Sequence, residues 1–436
     1  MYAPSVTPTL QADPECARPD SAGPGPDERS SPEPADPATQ QGLTASTPLR
    51  AELRSFESID RATWDQLASL NPYATPFATW AFHRAWWDAY GSNGHDHTLV
   101  ATDPSSAEPE RLVAIAPLMH RHVVEPSDAD THTTIRHTDG PSLTSVEPSA
   151  CAVYFGASYH ADYATLLAHP SDMPRAADAI VEELAGEHPI DPWSVIDLRR
   201  LRQADPATDI LAAAFGRREV DEGWTLNVER EDVCPVIRLP EGADIDGFLA
   251  TLGKKERHEI RRKVRRAEEA GTVALEESQD PVGDLETFVE LHQARWGERG
   301  LFPPTPGGDQ ARTFVRRLFE LFSEARTADP SHPTVHLSFL TVDGKRIGAS
   351  IHFETAGSLL YYNAGIDSEA RALSPGVVLL ERLVRRALER GKCRVDLLRG
   401  DEPYKYEWGG IDEPVLRILV RRTLTGGAAP AAPAPR

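Results

Sequence analysis

Lysine is scarce in this chain, occurring only at positions 254, 255, 263, 345, 392 and 405 although Lys and Arg together number 46. The formal net charge is −21 at pH 7, which excludes broad affinity for nucleic acid or anionic membrane, since excess Lys and Arg supply both. Cysteine is rarer still. Cys16, Cys151, Cys234 and Cys393 lie far apart with no Cys-x-x-Cys pair, so zinc ribbons, redox dithiols and a disulfide framework lose support and reduced thiols are expected. No run of about eighteen apolar residues is present. The N-terminus has neither a basic n-region nor an apolar h-region, so neither a spanning helix nor a signal peptide is expected and a cytoplasmic location is. Gly-x-Ser-x-Gly elbows and Walker-type loops are absent, leaving serine hydrolase and P-loop chemistries without support.

What is present begins with length. A chain of 436 residues exceeds the size at which one core keeps growing, and two domains are expected. Residues 1–49 are rich in proline and poor in large apolar residues, too poor to offset chain entropy, and read as a disordered acidic tail. The Gly-Ala-Pro ending, residues 424–436, reads as a second tail. Between them, 50–240 and 241–423 share a rhythm of helices followed by strands.

In the first half, Ile59 to Leu70 reads as a helix capped by Asp60, and Thr79 to Tyr90 as an aromatic core helix. Strands follow at Thr98 to Ala101 and Leu112 to Leu118. A helix from Ala176 leads to a strand at Ser194 to Leu198, another helix lies near Thr208 to Phe215, and strand-like stretches occur at Trp224 to Val228 and Cys234 to Leu239. The second half opens with a long helix near Asp244. Val335 to Thr341 and Arg346 to Phe353 flank the hairpin dipeptide Asp343-Gly344. A third strand at Leu359, a helix from Ser374 to Arg390, a strand at Arg394 to Leu398 and a closing strand at Val415 to Arg421 complete an α+β pattern with mixed, mostly antiparallel sheets flanked by helices.

Three segments carry chemistry. Ser374-Pro375-Gly376 has a preferred N-cap and a first-turn proline, and its helix start suits a pyrophosphate. Arg371 stands ahead of it in an R-x-x-S-x-G spacing. Second, Asp401 to Trp408 packs titratable groups after a strand bearing Asp396. Lys405 is placed to stabilise a developing oxyanion, while Tyr404, Asp396 or Glu402 moves protons; a surface turn of ion pairs is the alternative. Third, Gly253 to Gly271 carries eight basic residues around the stripe Ile260, Val264 and Ala267, reading either as a solvated face or as a contact for an anionic donor or substrate. The pairs His95–His97 and His120–His122 would share a face only on strands. No carboxylate or cysteine in the sequence visibly completes a set, so no metal is expected.

The chain resembles bacterial acetyltransferases of the GNAT superfamily, in the BioF2-like or CelD-like subgroup related to the FemABX peptidyltransferases. The resemblance rests on Asn71-Pro72 to Phe77, Trp80 to Trp87, Val113 to Leu118, Asp162 to Leu167, Lys254 to Gly271, Leu291 to Trp296, Val342 to Gly344, Tyr361 to Ala364, Leu373 to Gly376 and Asp396 to Trp408. It implies tandem GNAT-like (acyl-CoA N-acyltransferase) domains, with 50–240 degenerate and acceptor-facing and 241–423 bearing the donor site. It further implies acetyl-CoA or another acyl-CoA as co-substrate, and an amine of a sugar, a cell-envelope or polysaccharide precursor or a small metabolite as acceptor. Catalytic roles fall to Lys405, Asp396, Tyr404 and Glu402, with Tyr406 a second candidate acid. Arg371, Ser374, Gly376, Val377 and Asn363 would hold the donor, and Trp296, Arg257 and Tyr362 the acceptor. Lys405 in Tyr404-Lys405-Tyr406 corresponds to the lysine of a Lys-Phe-Gly-type motif, from which the chain departs at Tyr406 and Glu407. Transfer from aminoacyl-tRNA is one alternative. A non-catalytic binding subunit in envelope or polysaccharide assembly is another.

Overall fold

The computed structural model describes residues 47–122, 143–188, 190–297 and 300–422. Nearly all of the two expected tails therefore lies outside the described residues, as does Cys16. Of the other cysteines, Cys151 and Cys234 are free thiols as expected.

The first half contains β1 (Arg50–Leu53), α1 (Arg61–Leu70), α2 (Trp80–Tyr90), β2 (His95–Asp96), β3 (Leu99–Thr102), β4 (Leu112–Ala116) and β5 (Leu118–Arg121). It continues with β6 (Ala152–Phe155), β7 (Leu167–Ala168), α3 (Met173–Ala185), β8 (Val195–Arg202), α4 (Pro206–Glu222) and β9 (Thr225–Arg238). The second half has α5 (Ile245–Thr251), α6 (Lys254–Ala270), β10 (Val273–Glu277), α7 (Leu285–Trp296) and α8 (Pro306–Ala328). After these come β11 (Thr334–Val342), β12 (Lys345–Glu354), β13 (Ser358–Ile366), α9 (Pro375–Glu389), β14 (Arg394–Asp396), α10 (Pro403–Glu407) and β15 (Ile411–Arg421).

Local chemistry accounts for these bounds. Asp60 accepts from the Thr63 N–H at the start of α1, satisfying one of the unpaired first-turn donors. The expected long helix near Asp244 is two, because the backbone leaves the helical region at Leu252 and Gly253. The two strand-like stretches around 224–239 are one strand, β9, long enough to pair with two neighbours.

Among the described residues, eleven strands form one mixed sheet in the order β10-β11-β12-β13-β14-β9-β15-β8-β6-β5-β2, and β1-β3-β4-β7 form a smaller sheet. The closing strand lies inside the sheet, between β9 and β8. Outward from the β9–β15 centre the two arms are alike. β14 and β8 are antiparallel to the central strands, β13 and β6 are parallel to those, and antiparallel pairs follow. The repeat in rhythm seen in the sequence is thus a repeat in topology.

An aromatic core spans both halves. Phe82 of α2 meets Phe314 of α8 edge-on at 5.4 Å, and Phe77 meets Phe353 of β12 at 5.5 Å. The aromatic segment Trp80–Tyr90 is a core helix as expected, with Phe82 and Trp86 fully buried. Such rings contribute more buried apolar area than any other side chains, which fixes the halves against one another.

Candidate active site

β13 and β14 pair in parallel over only three residues, Ser358–Leu360 with Arg394–Asp396. Beyond that the strands part. β14 stops at Asp396, and Leu398 takes a left-handed conformation at φ 56°, turning the chain away. Leu397 N–H donates instead to Pro235 O at 3.0 Å and Gly400 N–H to Val233 O at 2.9 Å, so the diverging loop is held on β9. The gap between 361–364 and 397–399 is a cavity of about 270 Å³. Its lining includes Asp162 from the first half, His292, Arg295 and Trp296 from α7, and Glu402, Tyr404 and Lys405.

Lys405 is 2 % exposed. Its ammonium donates to the carbonyls of Leu398 and Arg399 at 2.8 Å each and of Gly400 at 2.9 Å. All three N–H bonds are thereby used, and the Glu402 carboxylate stands 3.1 Å away. In this geometry the ammonium, expected to face an oxyanion, is bonded to the 398–400 loop and ties it beside the cavity that Lys405 also lines. Gly400, at φ 107°, occupies a left-handed conformation that glycine adopts without strain.

Asp396 is fully buried below the cavity and does not line it. It accepts from Tyr163 Oη at 2.9 Å, from Arg394 Nη2 at 3.1 Å and from the Leu398 N–H at 2.9 Å. Burial pushes its carboxyl up to about 6 against the pull of Arg394, with Glu413 adding to the rise. Asp396, expected to serve as a base, is placed to hold the Leu398 turn where the strands part.

Tyr404 lines the cavity, and burial raises its phenol above the usual range. Tyr406 points elsewhere, donating to Asp412 Oδ1 at 2.8 Å. Tyr362 presents its ring to the cavity while its hydroxyl donates to His160 O at 3.0 Å. Trp296, 43 % exposed, stands at the mouth with its Nε1 3.4 Å from Ala364 O. The Asn363 side chain accepts from the Ala364 N–H at 3.0 Å, so its amide lies along the cleft wall.

The donor-side residues form a separate group. Ser374 is the N-cap residue of α9 as expected, but it adopts φ 53°, ψ 53° and its side chain makes no capping hydrogen bond. Its Oγ accepts instead from Arg266 of α6 at 2.6 Å. One arginine of the basic helix is thereby placed beside the start of α9. A Cβ at Gly376 would meet nothing within 4 Å, leaving the helix start open, while Val377 packs as a half-buried apolar residue behind it. Arg371 is exposed on the short 3₁₀ turn Glu369–Leu373 that leads in. Arg257 does not line the cavity; it donates to Ala250 O at 3.2 Å.

Four residues were not singled out individually. His292 is buried, and burial lowers its imidazole to about 4. It lies against Gly365, where a Cβ would come within 2.4 Å of the His292 N–H. Asp162 pairs with Arg399 at 3.3 Å across the cavity floor, and the Arg295 guanidinium lies 4.6 Å over the Trp296 ring. Asp162, His292, Arg295 and Arg399 sit inside segments that the resemblance had marked, and the meeting of Asp162 with the other three across 130 or more residues is the signal sequence spacing does not carry.

Residues 254–406 match a family model described as an acetyltransferase (GNAT) domain. No curated protein matches the chain. Among solved structures, FemX aligns with a TM-score of 0.52 at 10% identity, covering 82% of this chain and 96% of FemX. The C-terminal domain of a putative lysylphosphatidylglycerol synthetase from Agrobacterium fabrum aligns at 0.46 and 13% identity, covering 84% and 93%. A tandem GNAT protein from the clavulanic acid biosynthesis pathway aligns at 0.43 and 11% identity, covering 85% and 98%. At such identities the likeness is one of fold.

Proposed function

We propose that this chain, whose residues 254–406 belong to the acetyltransferase (GNAT) domain family, is an acyl-CoA-dependent N-acyltransferase, in the first instance an N-acetyltransferase. Its acceptor is an amine on a sugar, on a cell-envelope or polysaccharide precursor or on a small metabolite. The observation that carries this is the parting of β13 from β14, which leaves strand edge facing a cavity rimmed by titratable groups. Such an edge offers backbone hydrogen bonds to an extended thioester arm. The open start of α9, with Arg266 and Arg371 nearby, fits a pyrophosphate.

In this account the Glu402 carboxylate takes the proton from the acceptor nitrogen as it attacks the thioester carbon. Tyr404 gives its phenolic proton to the departing sulfur. Backbone N–H groups near Asn363 receive the carbonyl charge, and Lys405 keeps the 398–400 loop from closing the cleft. Trp296 and Tyr362 border the acceptor side. The domain assignment follows: 50–240 shapes the acceptor face through Asp162, and 241–423 holds the donor. A cytoplasmic location accords with such a co-substrate, and among the described residues no helix is long and apolar enough to cross a membrane.

Thiol release from acetyl-CoA, followed with a panel of amino sugars and small amines, tests the reading. Tyr404→Phe should lower kcat by about 100-fold, within the usual span for a lost general acid. Unchanged kcat would remove Tyr404 from that role, and no thiol release with any acyl-CoA would favour a non-catalytic role.

Transfer from aminoacyl-tRNA has one supporting observation, the exposed Lys254 and Lys255 at the start of α6 together with the likeness of fold to FemX. Further along the helix the charge is partly answered internally, Arg261 by Asp246 at 2.7 Å and Arg262 by Glu259 at 2.7 Å. Binding of tRNA that falls steeply with salt would favour this alternative.

A further inference from the structure

The sheet edge farthest from β10 brings together the histidines that the sequence left without a partner. His95 of β2 and His120 of β5 are directly opposed in the antiparallel register, and His122 lies two residues on from His120, on the same face. The carboxylate that completes the set is not the adjacent Asp96 but Asp191, which arrives from the segment before β8. Asp191 Oδ1 lies 2.6 Å from His95 Nδ1, 3.5 Å from His120 Nδ1 and 4.0 Å from His122 Nε2. One ligand atom from each of the four residues falls within 4.8 Å of the others.

We propose that His95, His120, His122 and Asp191 form a binding site for a divalent transition metal, with Zn²⁺ the ion that suits the set best. Three imidazoles and one carboxylate form a four-ligand set of the kind that holds zinc tetrahedrally. Bonds of about 2.0–2.1 Å would put tetrahedral ligands about 3.3 Å apart, and the three distances to Asp191 bracket that edge.

The surroundings supply a second, independent observation. His120 Nε2 lies 2.8 Å from the Pro192 carbonyl. A carbonyl only accepts, so the ring proton sits on Nε2 and Nδ1 carries a lone pair. That Nδ1 is buried without a hydrogen-bond partner and faces the Asp191 oxygen, an arrangement of two electron-rich atoms that a cation between them relieves. His122 turns its other nitrogen, Nδ1, toward Cys151 Sγ at 3.8 Å, leaving Nε2 for the cluster.

The site is structural in placement. Five strand spacings separate β14 from β5, roughly 24 Å at about 4.8 Å each, so the ion takes no part in acyl transfer. It would clamp β2, a two-residue edge strand, to the segment entering β8, protecting an edge that otherwise exposes unpaired backbone.

The test uses the full-length, untagged protein stripped with a chelator, then titrated with Zn²⁺ by calorimetry and with Co²⁺ by visible absorption. Expected are one ion per chain, intense tetrahedral d–d bands with Co²⁺, and a rise in Tm with Zn²⁺. His95→Ala and Asp191→Asn, at partly exposed positions, should keep the wild-type circular dichroism and weaken binding by about 100-fold or more, beyond the effect typical of changing a residue that only hydrogen-bonds to a ligand. Absence of stoichiometric binding, or binding unchanged in both variants, would overturn the proposal and leave the cluster a histidine–aspartate hydrogen-bond network.

Discussion

The two arms of the sheet carry the same device in different states. In the first half β6 and β8 pair in parallel over Ala152–Tyr154 with Val195–Asp197, and in the second β13 and β14 pair over Ser358–Leu360 with Arg394–Asp396. Both parallel pairs end on an aspartate, and each is followed by a residue with positive φ, Arg200 at 68° and Leu398 at 56°. The outcomes diverge. Asp197 is gripped by Arg417 at 2.7 and 2.8 Å and by Arg199 at 3.1 Å, and Ala164 re-forms a parallel bridge with Leu201 beyond the turn. The first seam is closed by ions and backbone. The second is propped open by Lys405 on three carbonyls, with Asp396 beneath it. One arm is closed after the turn while the other keeps a cleft, and the difference lies in what fills the space after the turn.

Removing the prop should have the largest effect. Lys405→Met leaves three carbonyls and Glu402 without their cation, and should cost about 3–5 kcal/mol in urea unfolding, as for a broken buried pair, and abolish turnover. Stability equal to wild type would show that Lys405 does not hold the loop. Arg417→Ala breaks the closed seam instead. A similar cost of about 3–5 kcal/mol is expected, but kcat of the folded fraction should stay within about twofold; a large fall in kcat would show that the seams are not functionally distinct.

The two aspartates should also respond oppositely to pH. At Asp396 the folded carboxyl is raised from 3.8 to about 6, so the folded state holds a proton the unfolded chain has released. The associated stability, roughly 3 kcal/mol for a shift of this size, is present below pH 4 and lost as pH rises to about 6. At Asp197, burial raises the carboxyl but Arg417 and Arg199 outweigh it and leave it lowered. Its contribution is present above pH 4 and lost as pH falls below the ordinary value. Urea midpoints of Asp396→Asn and Asp197→Asn between pH 3 and 7 should therefore diverge from wild type in opposite directions, and parallel curves would contradict the assignment. The smallest effect concerns the donor side: Arg266→Ala should raise KM for acetyl-CoA about 10-fold, the worth of one charge-assisted hydrogen bond, with kcat unchanged. An unchanged KM would remove Arg266 from the donor site.

Much of this was legible in the sequence where the signal was local. The Asp60 cap, the Asp343-Gly344 hairpin and the apolar stripe of α9 each follow from neighbouring residues, and the α+β order of elements follows from them. The place of β15 did not, because its apolar pattern suits a central or an edge strand alike and only pairing with β8 and β9 decides. At the site, the clustering of Glu402, Tyr404 and Lys405 in sequence is a clustering in space, since all three line the cavity. The hydrogen-bond partners of Lys405 and Asp396 were not legible, because they depend on a loop turned by Leu398 in a conformation uncommon for leucine. Asp162 and Asp191 reach their partners only through the fold.

The claim that the parted β13–β14 seam and the start of α9 form a donor site is tested most directly by calorimetric titration of the full-length protein with acetyl-CoA, repeated on Gly376→Asp. Nothing lies within 4 Å of a Cβ at that position, so the variant should fold normally while placing a negative charge where phosphate would sit. The account predicts saturable binding in the wild type and its loss in the variant. Absence of binding to the folded wild type, or equal binding by both proteins, would contradict it.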